Sequence, residues 1–423
     1  MKKSALLSVA ASMAISAAAA APLDSIPERA IILSGDPNNP AHLENIAEMY
    51  SRQNMAFQDP SAPRFLFLDK KGTAALGIGG YLKAMALYDM DGSINSNGFS
   101  TFDIPVPFDP AQRQRFGATA NHSTIFLKMV TTRTRLGKVI VYLQGNFTGD
   151  NGSYGFKMSQ AYVSVGNLTL GKARSTFADG SAMAPTVDDE GNSGQVSAKN
   201  MLIRYSTPTF HGFSGAISVE IPSISITNSA NTASISQRIP DIPAYIQYAW
   251  NKGDSHIRLS GIYRGIYYRD LKSATNTSST GWGVQISGVG TIAGGLGFFG
   301  HYTYGKGIAS YINDLSGEGL DLIPSTSVGK LTPAPVAGWT VGLRYNFNSK
   351  LFASASYSQA HLYHASELGP STYRYGQYAV VNAFYNVWDD LQLGIEFIHG
   401  ARNDYNHTAG HANRIDAMLQ FNF

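Results

Sequence analysis

The chain has 423 residues, no cysteine and a formal net charge of only +3. A small disulfide-stapled secreted scaffold is thereby excluded, and neither the charge balance nor any Lys/Arg cluster suits nucleic-acid binding. Charged residues make up 14% and aromatics 11%, with 23 Tyr and 43 Gly, and no apolar run of membrane-helix length occurs after residue 21. That mixture suits strands facing lipid on one side and water on the other.

Lys2 and Lys3, an apolar stretch over 5–15 and small residues over 16–21 compose a secretory signal peptide, residues 1–21, cleaved before Pro22. Residues 22–76 read as a periplasmic N-terminal segment broken by Pro22, Pro27, Pro37 and Pro40. Within it, 41–58 carries the one helical spacing: Leu43, Ile46, Ala47, Tyr50 and Asn54, the last of them polar. Phe65, Phe67 and Leu68 are placed to dock on the periplasmic rim of the strand-rich region that begins at residue 77.

Residues 77–423 alternate strands with loops, and the fold class is all-β: a transmembrane antiparallel β-barrel of about 16 strands. The spacing predicts strands over 78–90, 122–134, 139–148, 155–165, 168–175, 199–206, 214–221 and 242–250. The second half continues with 256–266, 281–289, 293–304, 339–347, 351–360, 373–387, 391–399 and 412–423. Most approach the ~9–11 residues that a tilted spanning strand needs. Short connections alternate with long ones. The connections at 91–121, 176–198, 222–241 and 305–338 are long and belong outside; turns such as 166–167 and 388–390 belong in the periplasm. In the last strand Ile415, Ala417, Leu419, Phe421 and Phe423 share one face; Arg414, Asp416, Met418, Gln420 and Asn422 share the other. A terminal aromatic on a closing strand fits the interfacial girdle of an outer-membrane barrel, and Phe423 is the expected handle for the barrel-assembly machinery.

Charge on the expected wall is lopsided. Thirteen Lys and Arg fall in the strand spans against four acids, Asp89, Glu220, Glu396 and Asp416. An Arg or Lys facing lipid at mid-bilayer costs ~2–4 kcal/mol, so these bases are assigned to the lumen or its rims. The pore-lining candidates are Lys128, Arg133, Lys172, Arg174, Arg204, Arg258, Arg264, Arg344, Arg374 and Arg414. Lys172 and Arg174 share parity with Leu168 and Leu170, so their facing is inferred from charge alone. The loop at 176–198 adds Asp179, Asp188, Asp189 and Glu190, read as an acidic constriction loop. A ring of bases selects anions; the competing reading is that the bases pair with these acids and hold the loop in place.

Two phosphate-loop lookalikes, at 166–172 and 295–300, lack the helix that such motifs need and are set aside as chance in a Gly-rich chain.

Residues 171–179 (Gly171-Lys-Ala-Arg-Ser-Thr-Phe-Ala-Asp179), Pro185-Thr-Val-Asp188 and 194–205 resemble the DcaP-like porin family. Phe57-Gln-Asp-Pro-Ser-Ala-Pro63 and Gly77-Ile-Gly-Gly-Tyr-Leu-Lys83 are similar to members from Bacteroides-type bacteria. The resemblance covers roughly 57–423. It implies a homotrimeric sixteen-stranded porin in the outer membrane of a Gram-negative bacterium, among lipid and lipopolysaccharide, passing small and often anionic solutes. Residues 41–58 are too short for the N-terminal coiled coil of better-known members.

The resulting expectation is a water-filled, anion-preferring diffusion channel that needs no cofactor or metal and is not an enzyme. A sugar-selective channel using Tyr263, Tyr267, Tyr302 and Tyr304 for stacking is the alternative. A barrel enzyme, for which His399 and Asp404 are the nearest candidates, ranks third.

Overall fold

Side-chain alternation translates directly into a closed wall in the computed structural model, which describes residues 30–35, 39–51, 55–60, 62–94, 96–149 and 154–423. The signal peptide of 1–21 lies outside the described residues. The first half of the wall comprises β1 (Ala75–Asp91), β2 (Thr124–Thr134), β3 (Gly137–Asn146), β4 (Lys157–Val165), β5 (Leu168–Arg174), β6 (Lys199–Ser206), β7 (Phe213–Glu220) and β8 (Ile242–Trp250). The second comprises β9 (Ser255–Asp270), β10 (Thr275–Ala293), β11 (Leu296–Lys306), β12 (Pro335–Asn346), β13 (Leu351–Leu362), β14 (Tyr373–Trp388), β15 (Leu391–Asp404) and β16 (Ala409–Asn422). Each strand pairs antiparallel with the next, and β16 returns to β1. All sixteen expected strands are present. The short strand Arg115–Thr119 continues β2 upward along β1.

The two faces separate as the sequence alternation requires. On β16, Ile415, Leu419 and Phe421 are exposed on the outer face, while Arg414, Asp416 and Met418 are buried inside. On β10, Trp282, Val284 and Ile286 point out, and Gln285 and Ser287 point in. An apolar exterior around a polar interior suits lipid outside and water or polar loops within. Tyr263 and Tyr302 are each 49% exposed among the outward side chains. They belong to the outer aromatic surface, which removes two of the four stacking candidates for sugar.

Placing the short turns in the periplasm leaves eight outer loops, L1 to L8, over 92–114, 147–156, 175–198, 221–241, 271–274, 307–334, 363–372 and 405–408. L5 and L8 are four-residue turns rather than long loops, because the strands around them overrun the expected spans. β10 has 19 residues, well beyond the ~9–11 that cross the bilayer. Its outer third, 275–280, is polar on both faces because water surrounds it there, so no apolar alternation marks it as strand. Asp270 closes the L5 turn, accepting from the N–H of Lys272 at 2.8 Å and from the Ser273 hydroxyl at 2.8 Å, the local bonding typical of Asp in turns. Ile266 and Tyr268 near this tip pack on Leu322 and Leu331 of L6.

The N-terminal segment is built differently from the expectation. Its helix, α1 (Pro40–Met49), has ten residues and stops well short of residue 58. Strand Ile31–Ser34 lies parallel to Phe65–Leu68, which pairs antiparallel with the lower end of β1. Ile46, Met49, Leu66 and Leu68 pack with Ala75 and Val130 in a small core on the periplasmic side. Phe65–Leu68 thus docks at the rim as predicted, by extending the sheet.

Candidate pore and its constriction

L3 folds into the lumen and is tied to the wall on several sides. Leaving β5, it passes β9 and β10, where Asp179 takes a 2.7 Å hydrogen bond from Ser287 and lies 2.7 Å from His256 Nε2 and 3.7 Å from Arg258. At β14 its Pro185 carbonyl accepts from Asn382 at 2.7 Å. At β15 both carboxylate oxygens of Glu396 accept backbone N–H groups, those of Val187 at 2.8 Å and Asp188 at 2.9 Å. At β1 the Lys83 ammonium donates to the Val187 carbonyl at 2.6 Å and to Asp189 at 2.7 Å. On β13 Ser356 and Ser358 take the Asn192 side chain and the Gly194 N–H. A Cβ on Gly194 would sit 2.3 Å from the Gln359 carbonyl oxygen, so only glycine allows this approach. The inward serines of β13 are polar because their partner is a loop backbone, whose N–H and C=O groups cannot be buried unpaired.

A second segment enters from below. Residues 55–60, just after α1, form a strap across the lumen. Phe57 packs edge-on against Phe352 and Phe384 of the β13–β14 wall, ring centroids 5.7 and 4.8 Å away. Gln58 donates to Thr186 of L3 at 2.7 Å. Asp59 then reaches Arg174 at the end of β5, at 2.6 Å, with both side chains under a tenth exposed. Burial alone would raise the Asp59 pKa, but Arg174, then Lys199 and the Ala56 N–H, outweigh it and hold the carboxyl below its ordinary value.

These contacts sort the expected basic lining. Arg174, Arg258, Arg264 and Arg414 do face inward, but each is neutralised: by Asp59, by Asp179, by Asp241 and Asp321 at 3.0 Å each, and by Asp89 at 2.6 Å. Arg264 and Arg414 are wholly buried and hold outer loops, Arg414 through the Ile94, Ser96 and Asn97 carbonyls of L1. Three residues are not in the constriction. Lys128 caps α1, donating to the carbonyls of Glu48 and Met49 at 2.8 and 2.9 Å, where a helix leaves carbonyls open and favours a cation. Lys172 lies opposite exposed Met201 and donates to the Met158 carbonyl, on the outward side that its parity with Leu168 and Leu170 indicates. Arg374 sits over Tyr375, which tilts against His361 at the outer end of β13 and β14. The Arg133 side chain lies outside the described residues. Arg204 and Arg344 remain. Both are half-buried on the inner face; Arg204 donates to the Arg174 carbonyl at 3.2 Å, and Arg344 lies 4.1 Å over the Phe352 ring. Neither makes an ion pair among the described residues.

The loop acids also divide. Asp179 and Asp189 meet bases as expected. Asp188 instead accepts backbone N–H groups of Phe99 and Gly191. Burial first, and then Asp416 and Glu396 nearby, raise its pKa well above the usual carboxylate range. Glu190 is exposed toward the outer mouth. Asp59, Lys83 and Glu396 are constriction residues that the candidate set omits. Asp59 and Glu396 are carboxylates in otherwise uncharged stretches, a signal visible in the sequence without indicating a partner. Among the described residues no cluster of His and acids is arranged to hold a metal.

The DcaP outer membrane protein family profile matches residues 71–283, half of the chain. The chain belongs to that family. The DcaP family comprises outer-membrane proteins, and this barrel accordingly belongs in the Gram-negative outer membrane. Among solved structures, the outer membrane channel DcaP of Acinetobacter baumannii superposes with a TM-score of 0.72 at 18% identity, covering 84% of this chain and 99% of that one. An anion-selective porin from Comamonas acidovorans matches at 0.52 and 12%, covering 83% and 100%. OmpF of Salmonella typhi, in complex with daunomycin, matches at 0.53 and 11%, covering 83% and 98%. At such identities these structures share the fold. No curated protein matches the chain by sequence.

Proposed function

We propose that this DcaP-family channel passes small hydrophilic solutes by diffusion, with a preference for anions set in the inner half of the lumen. One observation carries the preference: Arg204 and Arg344 are half-buried inward-facing cations without an ion pair among the described residues, whereas Asp59, Asp179 and Asp189 are each tied to a base. Glu220, Glu396 and Asp188 are taken up by N–H donors of L1, L3 and the wall, and Asp416 is wholly buried. Uncompensated charge in a narrow, low-dielectric passage acts on ions more strongly than the same charge in bulk water. The Comamonas porin, which has the same fold, is anion-selective, in line with this reading. In a KCl gradient across a planar bilayer, the reversal potential should show chloride passing more readily than potassium. The double variant Arg204→Gln with Arg344→Gln should move it toward zero. Cation selectivity in the unaltered channel would overturn the assignment.

Assembly as a homotrimer is part of the same reading. Outward-facing Ala84 and Ala86 on β1 let neighbouring walls approach closely; Ala173 is buried on the inner side and does not contribute. Light scattering of the detergent-solubilised protein, corrected for micelle mass, should give three chains per particle, and a monomer alone would contradict it. Phe423 is proposed as the handle for the assembly machinery, and Bacteroides-type ancestry rests on 57–63 and 77–83.

A further inference from the structure

At the outer mouth, L1, L2, L3 and L6 surround a polar cavity of about 470 Å³. Four carboxylates stand on its wall: Asp103 from L1, Glu190 from L3, and Asp314 and Glu318 from L6. The cavity's own bases do not answer them. Arg115 is bound to Asp89 at 3.2 Å and to the Ile94 and Ser96 carbonyls. His122 lies 3.4 Å from Asp189. Arg402, whose charge reaches Asp103 and Glu318 only through space, is itself bound to Asp404 at 2.9 Å and to the Phe102 carbonyl. Asp103, Glu190 and Glu318 are exposed, and their carboxylates make no ion pair or hydrogen bond among the described residues.

Asp314 adds an independent sign of a missing ligand. It is 3% exposed. Its Oδ2 accepts both the backbone N–H and the hydroxyl of Thr101, yet its Oδ1 has no partner. A buried carboxylate oxygen without a donor is unfavourable unless something supplies one. An ammonium group supplies three donors and a positive charge, and has no acceptor of its own.

We propose that this cavity is a subsite for the ammonium group of a permeating solute, so that small amines and amino acids are held at the mouth before they enter. The inference rests on the channel reading and gives the path opposite charges in sequence, acidic outside and basic within. A zwitterion would meet its counter-charge at each station. Although the Glu190 side chain reaches water, the loops crowded around it strip enough solvent from its carboxylate to raise its pKa, and repulsion from Asp103 and then Asp189 adds to this. Asp314 is pushed up to about 7 by burial, and Glu190 adds to that despite the two Thr101 donors. A cation arriving there relieves both.

The test is current through the intact channel in planar bilayers while 1,4-diaminobutane, 4-aminobutyrate, butane-1,4-diol or magnesium chloride is added on the outer side. Diaminobutane and aminobutyrate should interrupt the current at concentrations where the diol has no effect. The variant Asp103→Asn with Glu318→Gln alters two exposed side chains and should raise the half-blocking concentration of diaminobutane about tenfold. If that variant does not assemble, Glu318→Gln alone should raise it about threefold. Block by the diol equal to that by the diamine, or unchanged block in the variants, would overturn the subsite. Block by magnesium at lower concentration than the diamine would reassign it as a metal site and overturn it equally. Failure of both amines to block the unaltered channel, with normal KCl conductance, rejects the subsite alone; absence of any conductance rejects the channel reading and this inference with it.

Discussion

Asp59→Ala should widen the channel. The substitution leaves Arg174 buried at the end of β5 with its partner gone, and breaking a buried pair in this way costs about 3–5 kcal/mol. Much of that penalty disappears if the strap swings out and lets water reach Arg174. Otherwise the strap is held chiefly by Phe57, whose burial against Phe352 and Phe384 contributes about 1.5–3 kcal/mol, and by two hydrogen bonds, from Gln58 to Thr186 and from the Tyr81 hydroxyl to the Gln58 carbonyl, worth about 1 kcal/mol each. The two sides are of similar size, so Asp59→Ala should populate a strap-out state substantially, and adding Phe57→Ala should complete the release. Single-channel recordings should then show a larger conductance in the order wild type, Asp59→Ala, double variant. The reversal potential should become more anion-selective in the same order, because Arg174 joins Arg204 and Arg344 as an unpaired cation. Arg174→Met with Asp59→Ala removes the stranded charge and should return conductance toward the wild-type value. Conductance and reversal potential both unchanged in Asp59→Ala would show that residues 55–60 do not bound the passage.

Glu396→Ala leaves the Val187 and Asp188 N–H groups unpaired inside the barrel, at about 1–3 kcal/mol each; L3 should loosen, seen as noisier open-channel current, and a quiet trace would count against its anchoring role. Lys128→Met removes the cap on α1 at a cost of about 1 kcal/mol; limited proteolysis should cut within 39–51 faster while the barrel keeps its heat-modifiable migration on gels, and a barrel-wide loss of stability would mean that Lys128 lines the wall after all. Asp314 offers a pH dependence: its pKa rises from 3.8 to about 7 on folding, so the folded state binds the proton more tightly. Its contribution to stability is complete below about pH 4 and is lost as pH climbs toward 7. Asp314→Asn should flatten that decline in a melting-temperature series from pH 4 to 8; an unaltered slope assigns it to another group. Deleting Phe423 should lower the yield of assembled barrel in the outer membrane, measured by heat-modifiable band intensity, and full assembly without it would remove its role as a handle.

How much of the barrel and its pore is legible in the sequence depends on how local each cause is. Lipid and water impose a period of two along every strand, so Val341, Leu343 and Tyr345 announce β12 without help from elsewhere. The outer third of β10 carries no such mark, because both of its faces meet water. Parity also placed Lys172 correctly on the outer side with Leu168 and Leu170; reasoning from its charge misplaced it, since its ammonium finds a backbone carbonyl there. The pore interior was less legible because its partners are distant in sequence. Asp59 and Arg174 lie 115 residues apart, and Val187 and Glu396 lie 209 apart. Counting bases on the wall overstated the free positive charge, because most of the neutralising acids, Asp59, Asp179, Asp241 and Asp321, sit in the strap and the loops; Asp89, opposite Arg414 on the neighbouring strand, is the exception.

The seam of the barrel is shared by two ends of one chain. Phe423 exchanges backbone hydrogen bonds with Gly80 at 2.8 and 2.9 Å, and two residues further down β1, Ile78 is already paired with Phe65. β16 and the strand Phe65–Leu68 therefore lie end to end along the same edge, one stopping where the other begins. Slippage of β16 toward the periplasm would collide with Phe65, and slippage by a single residue would turn its apolar face inward. The N-terminal segment thus serves as a mechanical stop that sets where the last strand comes to rest, and with it the tilt and circumference of the finished ring.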